Sequence, residues 1–262
     1  PGTILEVYKN LSRATDATTV GSQTNYYATV LNQKSSYVWF GNDRSGAASA
    51  TSSAIASSTN VLPFTTQFIG GTDNQSESNI QFADLANAYQ LYQNTTIPVS
   101  VIMQGLPTGG PGGPTYQLAN WLVDNLATVR KDVVIFVTPD DSVVTNNPLT
   151  IAQSLVTWRN SLRDSSFMVI DSGYKYMYDR YANVYRYVPT NGDVAGLCAR
   201  TDLTNNPWWS PAGFNRGQLL NVVKLRWNPK QADRDLLYPN GINPIVSFPG
   251  QGTVLFGDRT AT

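Results

Sequence analysis

The hydrophobic positions in the second half of the chain switch between helical and strand-like spacing. Apolar residues recur at helical spacing over 116–131, and unbroken apolar runs at 133–137 and 167–170 are typical of strands covered on both faces. Between these runs, the Asn-Pro pair at 147–148 marks the start of a second helix, because it places a capping residue before a proline at the first helical position. This strand–helix–strand order predicts parallel strands in a central sheet.

Further elements are predicted toward the end of the chain. Tyr174, Tyr176 and Tyr178 alternate as one face of a strand would, and the Asn-Gly-Asp sequence at 191–193 can cap a short helix through Ala199. Late strands are predicted at 222–227, 245–248 and 254–256, with a turn at 250–252.

From residue 15 to about residue 81 the pattern is different, with short strand-like runs separated by turn residues. A helix is predicted over 78–92, with Ser78 as its N-cap, and the Ser/Ala/Thr-rich segment 45–60 fits an exposed loop or a regular strand equally well. The strand-like runs lie at 3–8, 26–31, 37–40, 61–69 and 97–104.

The Gly/Pro stretch at 106–114 separates the part of the chain with short strand-like runs from the part with the α/β pattern, and it predicts two domains. A phosphate-binding loop is disfavoured there, because prolines remove backbone donors and no Gly-Lys-Ser/Thr follows. The predicted fold class is mixed α/β (α+β). A β-rich, barrel- or sandwich-like outer domain with one helix, 16–105, is inserted into an α/β domain with a central sheet flanked by helices, 1–15 and 106–262. The strand at 3–8 is expected to join that sheet, since a single short strand has no core of its own.

Composition narrows the function classes. The charged fraction is 14%, below the usual quarter, and the formal net charge is zero, so we expect no nucleic-acid partner. No apolar run approaches the roughly 20 residues of a membrane helix, so we expect no membrane partner. A polar but lightly charged surface suits a protein that lies against many neighbours, because such a surface is easier to desolvate than a charged one.

The residue types that most often carry out catalysis or bind metals are scarce in this sequence, which argues against an enzyme and against a metal site. Histidine is absent and Cys198 is the single cysteine, which removes the commonest general base, the Ser-His-Asp and Cys-His arrangements and a structural zinc site. We therefore predict no catalytic, cofactor-binding or metal-binding residue and no cofactor. Cys198 is interpreted as a buried, inert thiol in preference to a reactive one.

Two groups of residues keep an alternative open, a carbohydrate-active or sugar-binding domain. Asp140 and Asp141 follow a buried strand, and with Asp171 after the next strand they could form an acid–base pair or bind a hard cation. The simpler interpretation is a turn in which the aspartates bind local N–H groups. The aromatic residues could form a sugar platform or a protein interface, or pack on a sheet face; they are Trp208, Trp209, Tyr174, Tyr176, Tyr178, Tyr181, Tyr185 and Tyr187.

Four motifs follow one another in the last third of the chain. They are Gly-Leu-Cys-Ala-Arg-Thr-Asp at 196–202, Trp-Trp-Ser-Pro-Ala-Gly at 208–213, Leu-Leu-Tyr-Pro-Asn-Gly-Ile-Asn-Pro-Ile at 236–245 and Gly-Gln-Gly-Thr-Val-Leu-Phe-Gly-Asp-Arg-Thr at 250–260. Each specifies shape, since Gly213 and Gly241 can supply positive φ in turns. In this order the motifs resemble the contractile tail sheath protein of tailed bacteriophages, and the Ser/Thr/Asn-rich first half is most similar to the T-even type.

The resemblance implies a structural subunit of the virion tail, assembled in the host cytoplasm. Such subunits polymerise around the tail tube and contract to drive the tube through the host envelope. Implied partners are other copies of the sheath protein and, through regions outside this chain, the tail tube, baseplate and tail terminator. The resemblance also implies that the N-terminal arm and C-terminal polymerisation domain of the family lie outside this chain, so we expect a processed or trimmed fragment that does not assemble. The sheath of a bacterial phage-tail-like injection machine is the second alternative.

Overall fold

The computed structural model describes residues 3–41, 80–107, 113–145 and 147–262. The chain divides into two compact units, Pro1–Gly71 and Thr72–Thr262. The predictions for 45–60 and 61–69 and for the cap Ser78 lie outside the described residues.

In the described part of the first unit, the regular element is a helix, α1 (Tyr27–Lys34). The strand predicted at 26–31 is therefore wrong: α1 buries Ala28 and Val30, and the Tyr27 ring packs edge-on against Phe40 at 5.2 Å. No strand forms at 3–8 or 37–40 either. The carboxylate of Glu6 instead accepts hydrogen bonds from Ser35 Oγ at 2.6 Å and Ser36 N at 2.9 Å, so side-chain bonds hold segment 3–8 in place of a ladder.

The second unit is built on a parallel sheet of four strands in the order β1-β2-β3-β7. These strands are β1 (Val101–Met103), β2 (Val134–Val137), β3 (Met168–Asp171) and β7 (Ile242–Asn243). The predicted parallel pairing is confirmed, with Ile135 opposite Met168 and Val137 opposite Ile170. Within the described residues, no strand from 3–8 joins this sheet.

Helices cover this sheet on both faces. They are α2 (Phe82–Gln90), α3 (Pro114–Leu122), α4 (Thr128–Arg130), α5 (Asp141–Thr145), α6 (Ile151–Arg159), α7 (Asn191–Thr204) and α8 (Gln231–Leu237). A π-helical turn, Val123–Ala127, joins α3 to α4. Along β2, Ile135 and Val137 enter a core that holds α3 and α6, whereas Phe136 enters a second core with α7, because alternate strand residues face opposite sides. No described helix has both the length and the apolarity that crossing a bilayer requires.

The predicted domain boundary at 105/106 does not coincide with the division between the units at Gly71–Thr72. Strand β1 pairs with β2, and Phe82, Leu85 and Tyr89 of α2 pack on the first core, so the predicted helix and last strand of the outer domain belong to the α/β unit. The boundary differs because β1 pairs with a strand about thirty residues further along the chain, and such pairing is not visible in the local sequence pattern. The rest of the predicted outer domain stays a prediction.

Two antiparallel sheets complete the α/β unit. The first has the order β5-β4-β6, with β4 (Tyr174–Asp179), β5 (Val184–Pro189) and β6 (Lys224–Leu225). The second is the hairpin of β8 (Ile245–Phe248) and β9 (Gly252–Leu255). The predicted turn at 250–252 is confirmed: Gly250 and Gly252 have φ of 76° and 80°, which side chains rarely adopt.

Candidate functional site

The three aspartates proposed as acid–base or cation-binding groups each have separate partners. Asp141, at the start of α5, binds Arg226 Nη2 at 2.9 Å through Oδ2. Asp140 Oδ1 accepts the N–H of Ser142 at 2.9 Å, which is the local turn bond that the simpler interpretation predicts. Asp171 ends β3 and is only 1% exposed, and burial raises its pKa to about 7. Asp171 is thus enclosed by protein and does not face a cleft.

Tyr174 links two of these positions. Its hydroxyl donates to the carbonyl oxygen of Pro139 at 2.9 Å. Burial, followed by the nearby charges of Asp140 and Asp141, raises the pKa of Tyr174 above its usual range, so the phenol remains a hydrogen-bond donor at physiological pH. It therefore fixes the strand end that carries the two aspartates.

Cys198 is half-buried on α7. Burial, with a smaller contribution from the charge of Asp202, raises the pKa of the thiol to about 11. A thiol with such a pKa is almost entirely protonated at neutral pH, and the thiolate is the nucleophilic form. In the part of the chain that the structure describes, no three acidic or cysteine side chains are grouped as metal ligands.

The tyrosines predicted as one face of a strand pack together on the β4–β5 hairpin. The rings of Tyr176 and Tyr187 lie 4.7 Å apart and those of Tyr178 and Tyr185 lie 5.0 Å apart. Lys224 Nζ lies 5.1 Å from the Tyr176 ring centroid, which covers the ladder with a cation. Sheet-face packing thus accounts for most of this aromatic concentration.

A groove of about 790 Å³ opens beside the end of that hairpin. Its walls carry Tyr181, which is 87% exposed, and the salt bridge between Arg186 Nε and Asp179 Oδ2 at 3.2 Å. None of the three aspartates weighed above lines this groove. The structure therefore does not combine the predicted acids and this aromatic groove into one site.

A second exposed region, here called the aromatic surface, consists of Trp208, Trp209, Phe214, Phe248 and Phe256. The three phenylalanine rings form a cluster with centroid distances of 5.2 to 5.9 Å. Trp208 is 79% exposed and Trp209 is 45% exposed. Sequence reasoning found the two tryptophans but missed the phenylalanines, which hairpin pairing and the turn at Gly213 bring beside the same segment.

Arginines lie against these rings. Arg216 lies 5.0 Å from the Trp209 ring centroid and also donates from Nε to the carbonyl oxygen of Ser210 at 2.6 Å. Arg234 lies 5.7 Å from the Phe248 ring and 5.8 Å from the Phe256 ring. Exposed aromatics together with arginine are the side chains most enriched at protein–protein contacts. The aromatic surface has this chemistry.

The fold and these surfaces define a mixed α/β protein that combines a closely packed sheet with exposed aromatic residues. The chain belongs to the phage tail sheath protein family: the family's central-domain model, "Phage tail sheath protein central domain", matches residues 116–261. The predicted family is thereby confirmed.

Curated relatives are tail sheath proteins of several phages. The protein of Enterobacteria phage T4 is 38% identical over 200 residues, covering 71% of this chain and 30% of the relative. The protein of Vibrio phage KVP40 is 44% identical over 156 residues, which cover 54% of this chain and 23% of the relative. The protein of Salmonella phage ViI is 41% identical over 140 residues, which cover 53% of this chain and 22% of the relative. The chain therefore spans less than a third of the length of these relatives.

Solved structures with a weaker likeness include the contracted helical sheath of the anti-feeding prophage. It is 17% identical, with a TM-score of 0.48, over 68% of this chain and 43% of that chain. The contracted sheath complex of an extracellular contractile injection system, PVC, is 15% identical, with a TM-score of 0.36. The match covers 78% of this chain and 68% of that chain.

Proposed function

We propose that this chain is part of a structural subunit of a contractile phage tail sheath. Copies of the subunit polymerise as a helical sheath around the tail tube, and contraction of the sheath drives the tube through the host envelope. The observation that carries the proposal is the family match over 116–261, which includes all four motifs of the last third. The proposed role is mechanical and not enzymatic, in the virion tail after assembly in the host cytoplasm.

The α/β unit has the properties that a moving building block needs. Its sheet is covered on both faces by separate cores, so that it moves as a rigid body when one set of contacts is exchanged for another. A subunit that deformed easily would dissipate the energy that the extended sheath stores. The outer domain predicted over residues 16–105 stays a prediction, and contacts with tube, baseplate and terminator are proposed for regions outside this chain.

We assign contact between copies to the aromatic surface. Trp208, Trp209, Phe214 and Phe256 of this surface are exposed, and its arginines already lie against aromatic rings. The formal net charge of the chain is zero, so copies can approach without strong repulsion. Burying aromatic side chains in a neighbour stabilises association without requiring a complementary charge.

The test is assembly of the complete gene product that carries this chain, observed by electron microscopy and sedimentation. Trp208→Ala should raise the concentration needed for polymer formation by roughly 30-fold, because truncating an interface hot spot costs about 2 kcal/mol. Leu203→Ala is the matched control, since Leu203 is at least as exposed as Trp208 but lies outside the aromatic surface. Wild type that never forms helical polymers contradicts the proposed function. Equal assembly of the two variants contradicts only the assigned surface.

A further inference from the structure

Asp171 is the hub of a buried hydrogen-bond network at the carboxyl end of the parallel sheet. Its Oδ2 accepts the hydroxyl proton of Thr138, which follows β2, at 2.6 Å. Its Oδ1 accepts the N–H of Gly173 at 2.9 Å and lies 2.7 Å from the hydroxyl oxygen of Thr190, which precedes α7. One carboxyl group thus connects the ends of two sheet strands to the start of a helix.

The same network attaches the first turn of α7 to the sheet. The N–H of Asn191 donates to Thr138 Oγ1 at 2.9 Å, and Asn191 Nδ2 donates to the carbonyl oxygen of Gly105 at 2.7 Å. Thr190 N donates to the carbonyl oxygen of Gly173 at 3.1 Å. Thr138, Thr190 and Asn191 are all buried, so water does not compete for these bonds.

Thr190 can form a hydrogen bond with Asp171 in both protonation states of the carboxyl group. Its Oγ1 lies 2.7 Å from Asp171 Oδ1 and 2.6 Å from the carbonyl oxygen of Gly173, but a hydroxyl has only one proton to donate. When Asp171 is ionised, Thr190 donates to the carboxylate. When Asp171 is protonated, its O–H donates to Thr190 Oγ1, and Thr190 donates to Gly173. Either state is satisfied without moving a side chain.

The charges around this network favour the neutral form. Asp193 on α7 adds a like charge, and its own partner is Lys175 Nζ at 2.7 Å, so the lysine on β4 is already engaged. On the side of α5, Asp141 binds Arg226, and Tyr174 donates to Pro139. Burial is the largest cause that raises the pKa of Asp171 to about 7, and its three hydrogen bonds oppose that shift.

We propose that Asp171 is a proton-binding switch built into this fold, which takes up a proton on acidification and thereby strengthens the attachment of α7 to the sheet. In the unfolded chain the carboxyl group of Asp171 has the ordinary aspartate pKa of 3.8, whereas in the folded protein its pKa is raised to about 7. The folded state therefore binds more protons between these values, and the stability of the α/β unit rises as the pH falls through this window.

The experiment compares wild type with Asp171→Asn in urea unfolding at pH 7.5 and pH 5.5. The unfolding equilibrium constant of wild type should fall by roughly 20-fold more than that of Asp171→Asn between these two pH values, as linkage predicts for one such group. Asp235→Asn is the matched control, because it removes an exposed carboxylate from α8, and it should keep the wild-type dependence. Coincident pH dependence of wild type and Asp171→Asn would overturn the proposal.

A second measurement keeps the test decisive if Asp171→Asn does not fold. Carbon-13 NMR of aspartate carboxyl groups in the wild-type chain should show one resonance that titrates with a midpoint near 7. Amide hydrogen exchange in the first turn of α7 should slow over the same pH interval, after correction for the intrinsic rate. A titration in which every aspartate has its midpoint below 5 would reject the switch.

Discussion

Two glycines of the α/β unit illustrate how differently single residues constrain this fold. A Cβ at Gly217 would lie 2.7 Å from the carbonyl oxygen of Leu255 and 2.8 Å from the backbone nitrogen of Gly213, and both are backbone atoms that cannot move aside cheaply. Gly196 lies inside α7, and a Cβ there would meet nothing within 4 Å. Gly217 is required because two backbone segments of the chain approach each other closely, whereas Gly196 lowers the stability of α7 without filling such a need.

We therefore expect opposite effects from the same substitution. Gly217→Ala should lower the free energy of unfolding by about 1–3 kcal/mol through overpacking, and Gly196→Ala should raise it by about 0.5–1 kcal/mol through helix propensity. Chemical denaturation followed by circular dichroism measures both. A Gly217→Ala variant as stable as wild type would show that the segment carrying Gly217 can shift.

At the scale of elements, a buried ion pair joins β4 to α7. Lys175 Nζ lies 2.7 Å from Asp193 Oδ1, and the lysine side chain is 7% exposed. Lys175→Met should lower the free energy of unfolding by about 3 kcal/mol, because it leaves a half-buried carboxylate without its partner. The double variant Lys175→Met/Asp193→Leu should recover most of that loss.

A double-mutant cycle in urea measures this coupling directly. If the double variant is as unstable as Lys175→Met alone, packing of the lysine stem, and not its charge, connects the two elements. The charge of Asp193 also raises the pKa of Asp171. Helix α7 is thus attached to β4 by one ion pair and to the sheet by one network whose charge depends on pH.

At the scale of the whole α/β unit, one continuous core connects α2, α3 and α6 with one face of the sheet. Leu155 of α6 is fully buried in that core. Leu155→Ala should lower the free energy of unfolding by about 2–5 kcal/mol, and Leu203→Ala should change it by less than about 0.5 kcal/mol because Leu203 is exposed.

The buried Trp158 lies in the same core as Leu155. Tryptophan fluorescence and circular dichroism should therefore report coincident transitions for Leu155→Ala, as expected for one cooperative unit. Separated transitions would show that α6 opens independently of the sheet.

Local pattern predicted most elements of this unit. The apolar runs at 133–137 and 167–170 are β2 and β3, and the helical spacing over 116–131 is α3 and α4. It failed at 26–31, where β-branched and aromatic residues form α1, because packing around Tyr27 outweighs a weak local preference.

Sequence alone determined the family, the parallel sheet and the shape-defining glycines, because periodicity, turn chemistry and ordered motifs are properties of neighbouring residues. Tertiary structure alone decided that β1 pairs with β2, that Asp171 is enclosed by Thr138 and Thr190, and that Phe214, Phe248 and Phe256 form one cluster. Strand partnership, desolvation and surface composition depend on residues that are distant along the chain. A one-dimensional pattern does not contain those distances.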